Sequence, residues 1–172
     1  MHFATSNEDK FREVQRFLPD ISQLDVDLIE IQHADHDTVV RDKVRRAADH
    51  ATPIFVEDTA LHLDCLDGLP GPFIKWFLDR IGLDGLYELC DRYDTYTAQA
   101  VTKIAYSDGD SITTFTGTVE GTIVEPTGDG FGWDPIFQPE DFDETYAEMG
   151  EGKHEMSHRR RALDAFISSL SD

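Results

Sequence analysis

At 172 residues with an ordinary apolar share, the chain is the size of one domain that can bury a real core. Its 35 acidic residues against 15 basic ones give a formal net charge of −20, which leaves no basic face for phosphate contacts and excludes nucleic-acid and anionic-membrane binding. No apolar run reaches the length of a membrane span and the N-terminus lacks the order of a signal peptide, while Cys65 and Cys90 show neither zinc-ligand spacing nor disulfide density. The expectation is a cytoplasmic protein with two buried thiols.

His2 to Thr5 reads as a short strand, and Ser6 or Asn7 can cap a helix running through Leu18. Leu24 to Ile31 alternates as a strand. Asp37 then starts a helix whose Val40, Val44, Ala47, Ala48 and Ala51 form a buried stripe, with Lys43 beside it. Pro53 to Thr59 reads as a buried strand that finishes in Glu57-Asp58-Thr59, and Leu61 to Leu66 continues extended before the turn DGLPGP. Pro72 opens a helix with Phe73, Phe77 and Ile81 inward, and a second helix runs from about Asp84 to Tyr93. Thr97 to Ser107 and Ser111 to Glu125 form a β-hairpin through Asp108-Gly109, with Phe115, Val119 and Ile123 on one face. After GFGWDPIF and an irregular acidic stretch, Ser157 caps a final helix that buries Leu163, Phe166, Ile167 and Leu170 and carries His158 and Arg159 in its first turn. The pattern predicts one mixed α/β unit over residues 1–172.

The acids are spread over nearly every segment, which predicts a solvated shell adapted to the salt-rich cytoplasm of a halophile; a face for a basic protein partner is the alternative. Against that background the chain keeps five lysines, Lys10, Lys43, Lys75, Lys103 and Lys153. Either they are remnants of an ordinary surface, or a compact ammonium is needed where they stand.

Four segments bear chemistry. In ATSNEDK a strand ends in hydroxyl and amide residues just before a helix, a place where free N–H groups bind anions, and Lys10 follows one turn in; the glycines of a Walker loop are missing. Glu30, Glu57 and Asp58 are oxygen ligands of the kind that suits Mg²⁺. GFGWDPIF offers two rings on which a base could stack, or two core aromatics in a turn. Lys153, His158 and Arg159 bring cations to a helix start, where a phosphate or a purine carbonyl could be held.

TSNEDK at Thr5, FVEDTALHLDCLDGLPGPFIKWF from Phe55, GFGWDPIFQP from Gly130, TYAEM at Thr145 and KHEMSHR from Lys153, in this order, resemble the inosine triphosphate pyrophosphatase family. Four of the five lysines fall inside the matched pattern; Lys103 does not. The resemblance implies a two-lobed α/β domain with a long mixed sheet flanked by helices, a cleft between the lobes and a homodimer. It implies Mg²⁺-dependent hydrolysis of ITP, dITP and XTP between the α- and β-phosphates. Thr5, Ser6, Asn7 and Lys10 would form the first phosphate-binding turn, with Lys10 also catalytic. Glu30 and Asp58 would hold the metal, with Glu57 as the alternative to Glu30, and Asp58 would serve as general base. Lys43 and Lys75 would add cations, and Thr59 would adjoin the substrate. Phe131, Gly132, Trp133 and Asp134 would form the nucleobase loop, either ring supplying the stacking face. Lys153, His158 and Arg159 would close on base and phosphate, with Arg159, His158 or loop N–H groups donating to the 6-carbonyl that adenine lacks. The rival readings are a nucleotide pyrophosphatase with another base preference and a purine-nucleotide-binding protein without turnover.

Overall fold

The computed structural model describes residues 1–170. Strand β1 (His2–Ala4) lies between β2 (Ser22–Leu24) and β3 (Ile54–Leu63) and is parallel to both. Parallel neighbours need crossovers, which helices α1 (Glu8–Gln15) and α2 (His36–Ala48) provide. A short strand β4 (Pro70–Gly71) pairs with the far end of β3, and helix α3 (Ile74–Tyr93) follows. Gly82 sits inside α3 at φ 68° and ψ −172°, values only glycine adopts freely, so the element is two helical pieces abutting at that residue, as the sequence suggested. Strands β5 (Thr97–Ser107) and β6 (Ile112–Ile123) form the expected hairpin, and β5 also pairs antiparallel with β3 along its full length. Its turn is held by the Asp108 carboxylate, which accepts from the N–H groups of Asp110 and Ser111. Strand β7 (Phe137–Pro139) completes a mixed sheet of order β2-β1-β3-β5-β6-β7, and helices α4 (Tyr146–Met149) and α5 (His158–Leu170) end the fold.

The two-residue period of β3 sets the layers. Ile54 and Val56 point to one face and pack with Ala4 and with Val40, Val44 and Ala47 of α2. Phe55 points to the other, stacked on Phe3 at 4.6 Å and packed with Val14 of α1 and with Leu163 and Phe166 of α5. Further along, Leu61 and Leu63 enter a separate core with α3, Val119, Ile123, Trp133, Phe137 and Tyr146. One long sheet therefore carries two lobes. The same alternation sends the Glu57 side chain to the face of α1 and α5, and that of Asp58 to the face of α2.

Four local expectations change. Leu24 to Ile31 does not continue as a strand: β1, its only partner among the described residues, offers three residues, and Ile29 is 72% exposed. Helix α1 ends at Gln15, three residues before Leu18, in a turn ahead of Pro19. Extended backbone stops at Leu63, and Asp64–Leu66 forms a 3₁₀ turn. Ile81 and Leu170 are each 43% exposed rather than inward, the first because the break at Gly82 ends its helical stripe, the second because α5 runs past the core at its end.

Candidate active site

Asn7, rather than Ser6, caps α1: its side-chain oxygen accepts from the N–H groups of Asp9 and Lys10, both at 3.0 Å, and Thr5 Oγ1 accepts from the Asn7 N–H. The cap occupies two of the free N–H groups that could have bound an anion, so positive charge here rests on the Lys10 ammonium. Ser6 is exposed at the bend between β1 and α1.

Lys10 Nζ reaches Glu57 Oε1 at 2.9 Å. Arg159, in the first turn of α5, donates to the same carboxylate through Nε at 2.7 Å and Nη2 at 3.2 Å, and through Nη1 to Glu13 at 2.6 Å. Glu57 is 3% exposed and Arg159 6%. Burial alone would raise the Glu57 carboxyl, but Arg159 and Lys10 outweigh it and hold the group below the usual carboxylate range. His154 lies next to this group, its Nδ1 3.0 Å from Glu13 Oε1 without the alignment of a hydrogen bond. Glu57 thus anchors two cations, and with both oxygens so occupied it is not free to complete a metal site. The sequence expectation placed Arg159 against a purine carbonyl; three of its five N–H groups instead serve carboxylates, which leaves two for a ligand.

The GFGWDPIF loop divides its rings between solvent and core. Gly132 takes φ 62° with open space where a Cβ would stand, and the chain reverses so that Phe131 is 61% exposed while Trp133 is 7% exposed, edge-on to Phe137 at 5.5 Å. Phe131 is therefore the ring available to a ligand. Asp134 accepts two hydrogen bonds from Lys153 Nζ, at 2.7 and 2.6 Å; burial pushes its carboxyl up, and Lys153 offsets part of that. His158 is 2% exposed between Trp133 at 5.3 Å and Tyr146 at 5.6 Å, and burial, then Arg159 and Lys153, lower its pKa well below the ordinary value, so the ring is neutral. It backs the loop and does not line the cleft.

These groups surround a cleft of about 370 Å³ whose walls include Lys10, Glu13, Phe131, Asp134, Lys153 and Arg159. Asp58, Thr59, Glu30, Lys43 and Lys75 lie outside that lining. Asp58, on the α2 face of β3, has Oδ2 2.9 Å from His36 Nε2, again without hydrogen-bond alignment, so a buried carboxylate oxygen is left without a bonded partner. Lys43 Nζ pairs with Glu30 and donates to the backbone oxygen of Glu57 at 3.2 Å, which links this group to the cleft. Thr59 Oγ1 is 3.3 Å from Thr102 Oγ1 across the sheet, and Lys75 is exposed in the first turn of α3.

No cluster of three His, Cys, Asp or Glu residues could enclose a metal among the described residues. An orphaned Asp58 oxygen and the Lys43-paired carboxylate of Glu30 are donors that fit a cation such as Mg²⁺, which keeps most of its waters and takes further oxygens from substrate phosphates. Sequence reasoning missed Glu13, His154 and His36. Glu13 could have been found, because it stands three residues after Lys10 on one face of α1; nothing local marked His36.

Fold and cleft together define a two-lobed α/β protein with an exposed ring on one side of its cleft and carboxylate-anchored cations on the other. Comparison with known proteins narrows the class. The sequence model of the Ham1 family matches residues 1–169, and the chain belongs to that family. It is 45% identical over 172 residues, 95% of this chain and 89% of the relative, to an inosine triphosphate pyrophosphatase of Pyricularia oryzae. Its fold matches the structure of a HAM1 protein from Coxiella burnetii with a TM-score of 0.88 and 27% identity, over 99% of this chain and 97% of the other. A nucleoside-triphosphatase, dITP/XTP pyrophosphatase, of Mycobacterium abscessus matches with a TM-score of 0.77 and 25% identity, over 97% and 99% of the two chains.

Proposed function

We propose that this enzyme hydrolyses the non-standard purine nucleoside triphosphates ITP, dITP and XTP to the nucleoside monophosphate and pyrophosphate with Mg²⁺, in the cytoplasm and as a homodimer, so clearing them from the nucleotide pool. The observation that carries the reading is Phe131, a large ring 61% exposed at a cleft that also holds Lys10, Lys153 and Arg159, in a chain with five lysines. The names of the relatives supply the reaction class.

The base stacks on Phe131. The polyphosphate meets Lys10 and runs past the Glu57 backbone toward Lys43 and Asp58. Each of Lys10, Lys43 and Lys153 is already held by a carboxylate, so its position is fixed before substrate arrives, while Lys43 and Lys153, each making two hydrogen bonds, keep one N–H for a phosphate oxygen and Lys10 keeps two. The Asp58 carboxylate, its side chain 18% exposed, can accept the proton of the attacking water. Magnesium held by Asp58 and Glu30 would neutralise charge developing on the phosphates. The two spare N–H groups of Arg159 can donate to a 6-carbonyl, and adenine, with an amino group there, would leave them unpaired. His158, neutral and buried, holds the loop in place.

The test is kcat/KM for ITP, XTP, ATP, GTP and dTTP, each with Mg²⁺ and with EDTA. The reading predicts a preference for ITP and XTP over ATP of about a hundredfold or more, and no turnover with EDTA. Equal rates on all five would point to a pyrophosphatase with broad or different base preference, and tight binding without product to a nucleotide-binding protein.

A further inference from the structure

We propose that Cys65 and Cys90 form an oxidation site that closes to an intramolecular disulfide. Nothing in the proposed reaction uses either residue. Cys65 stands in the 3₁₀ turn that follows β3, Cys90 in the last turns of α3, and the fold brings their Sγ atoms to 3.6 Å across 25 positions of sequence. Both are free thiols, Cys90 fully buried and Cys65 partly exposed. Two sulfurs in van der Waals contact need only a small side-chain rotation to reach a bond length of about 2.0 Å. No third His, Cys, Asp or Glu joins them among the described residues, so the pair is a dithiol rather than part of a soft-metal site.

The difference in burial orders the chemistry. Burial, then the neighbouring Cys65, pushes the Cys90 thiol up to about 12, so the first sulfur to react is Cys65. With a peroxide as oxidant, the Cys65 thiolate displaces hydroxide from the O–O bond and becomes a sulfenic acid. Cys90 sulfur then attacks Cys65 sulfur. The sulfenic hydroxyl leaves with the Cys90 proton as water. Two thiols have lost two electrons and two protons, and hydrogen peroxide has become two waters.

The bond would join the turn after β3 to the half of α3 that lies beyond the break at Gly82. The loop it closes contains the DGLPGP turn and Lys75, so the segment entering α3 would be held at both ends. Closing a loop of 25 residues constrains the unfolded chain and should raise the melting temperature by about 5–10 °C in a protein of this size.

The experiment uses the full chain, reduced, desalted and treated with a small excess of hydrogen peroxide. Intact mass should fall by about 2 Da, the mark of a disulfide. Neither cysteine should then take iodoacetamide under denaturing conditions, both should after dithiothreitol, and the melting temperature should rise. Cys65→Ser and Cys90→Ala, treated alike, should show no such mass loss and no rise. Oxygen added to Cys65 with Cys90 still alkylated, covalent dimers in place of a monomeric disulfide, or two alkylated cysteines after treatment would each overturn the proposal. The readout is covalent state and melting, so it stands or falls apart from the reading of the active site.

Discussion

Glutamine at position 57 would keep the shape of the side chain and remove the charge that both Lys10 and Arg159 approach. Arg159 would retain Glu13 at 2.6 Å, but Lys10 would lose its 2.9 Å carboxylate partner. Removing one member of a buried ion pair costs about 3–5 kcal/mol; a glutamine oxygen still accepts one hydrogen bond and Lys10 can draw on water, so Glu57→Gln should cost about 3 kcal/mol. In a chain of this length that is a fall of about 6–12 °C in melting temperature. The pH dependence adds a sign. Glu57 is held below its ordinary range in the folded state, so its contribution is complete above the unfolded value near about 4.3 and is lost as pH falls from there toward the folded value. Urea unfolding followed by tryptophan fluorescence, at fixed molar potassium chloride, should show the full gap between parent and variant at neutral pH and a shrinking gap in acid. A gap below about 0.5 kcal/mol at neutral pH, or one unchanged down the acid limb, would refute the anchoring role of Glu57.

Asp58→Asn should lower kcat by about a hundred- to ten-thousandfold while nucleotide binding by calorimetry largely survives, because shape is kept and the proton acceptor is gone. Phe131→Ala should lower kcat/KM by roughly five- to 150-fold, the value of one base stack of about 1–3 kcal/mol, with little change in melting; Trp133→Ala should do the reverse, costing about 3–5 kcal/mol of stability because that ring lies in the core. Melting temperature and activity should both rise along a potassium chloride series from low to molar concentration, since screening relieves repulsion within a net charge of −20, and a flat or falling series would favour a surface made for a basic partner.

The elements with strong periodicity were legible. Alternation through β5 and β6 gave the hairpin, the apolar stripe gave α2, and Thr5 to Lys10 gave a strand, a cap and a helix in order. Alternation alone failed at Leu24 to Ile31, because a strand also needs a neighbour and β1 is only three residues long. Within the site, a resemblance spread over five blocks named the residues but not their partners. Glu57 and Asp58 are adjacent in sequence, yet the pleat turns them to opposite faces, one anchoring Lys10 and Arg159 and the other facing His36. Likewise Phe131 and Trp133 read as equivalent rings until the backbone at Gly132 sent one outward and the other into the core. Partners such as His36, whose Nε2 lies 2.9 Å from Asp58 Oδ2, belong to tertiary contact and leave no local signal.

Which phosphoanhydride breaks tests the account most directly. Incubating the purified protein with ITP and Mg²⁺ and separating the products by anion exchange should give IMP and pyrophosphate in equal amounts, with no IDP at any time. Release of orthophosphate with accumulation of IDP would contradict it, because attack would then fall at the γ-phosphate rather than between α and β.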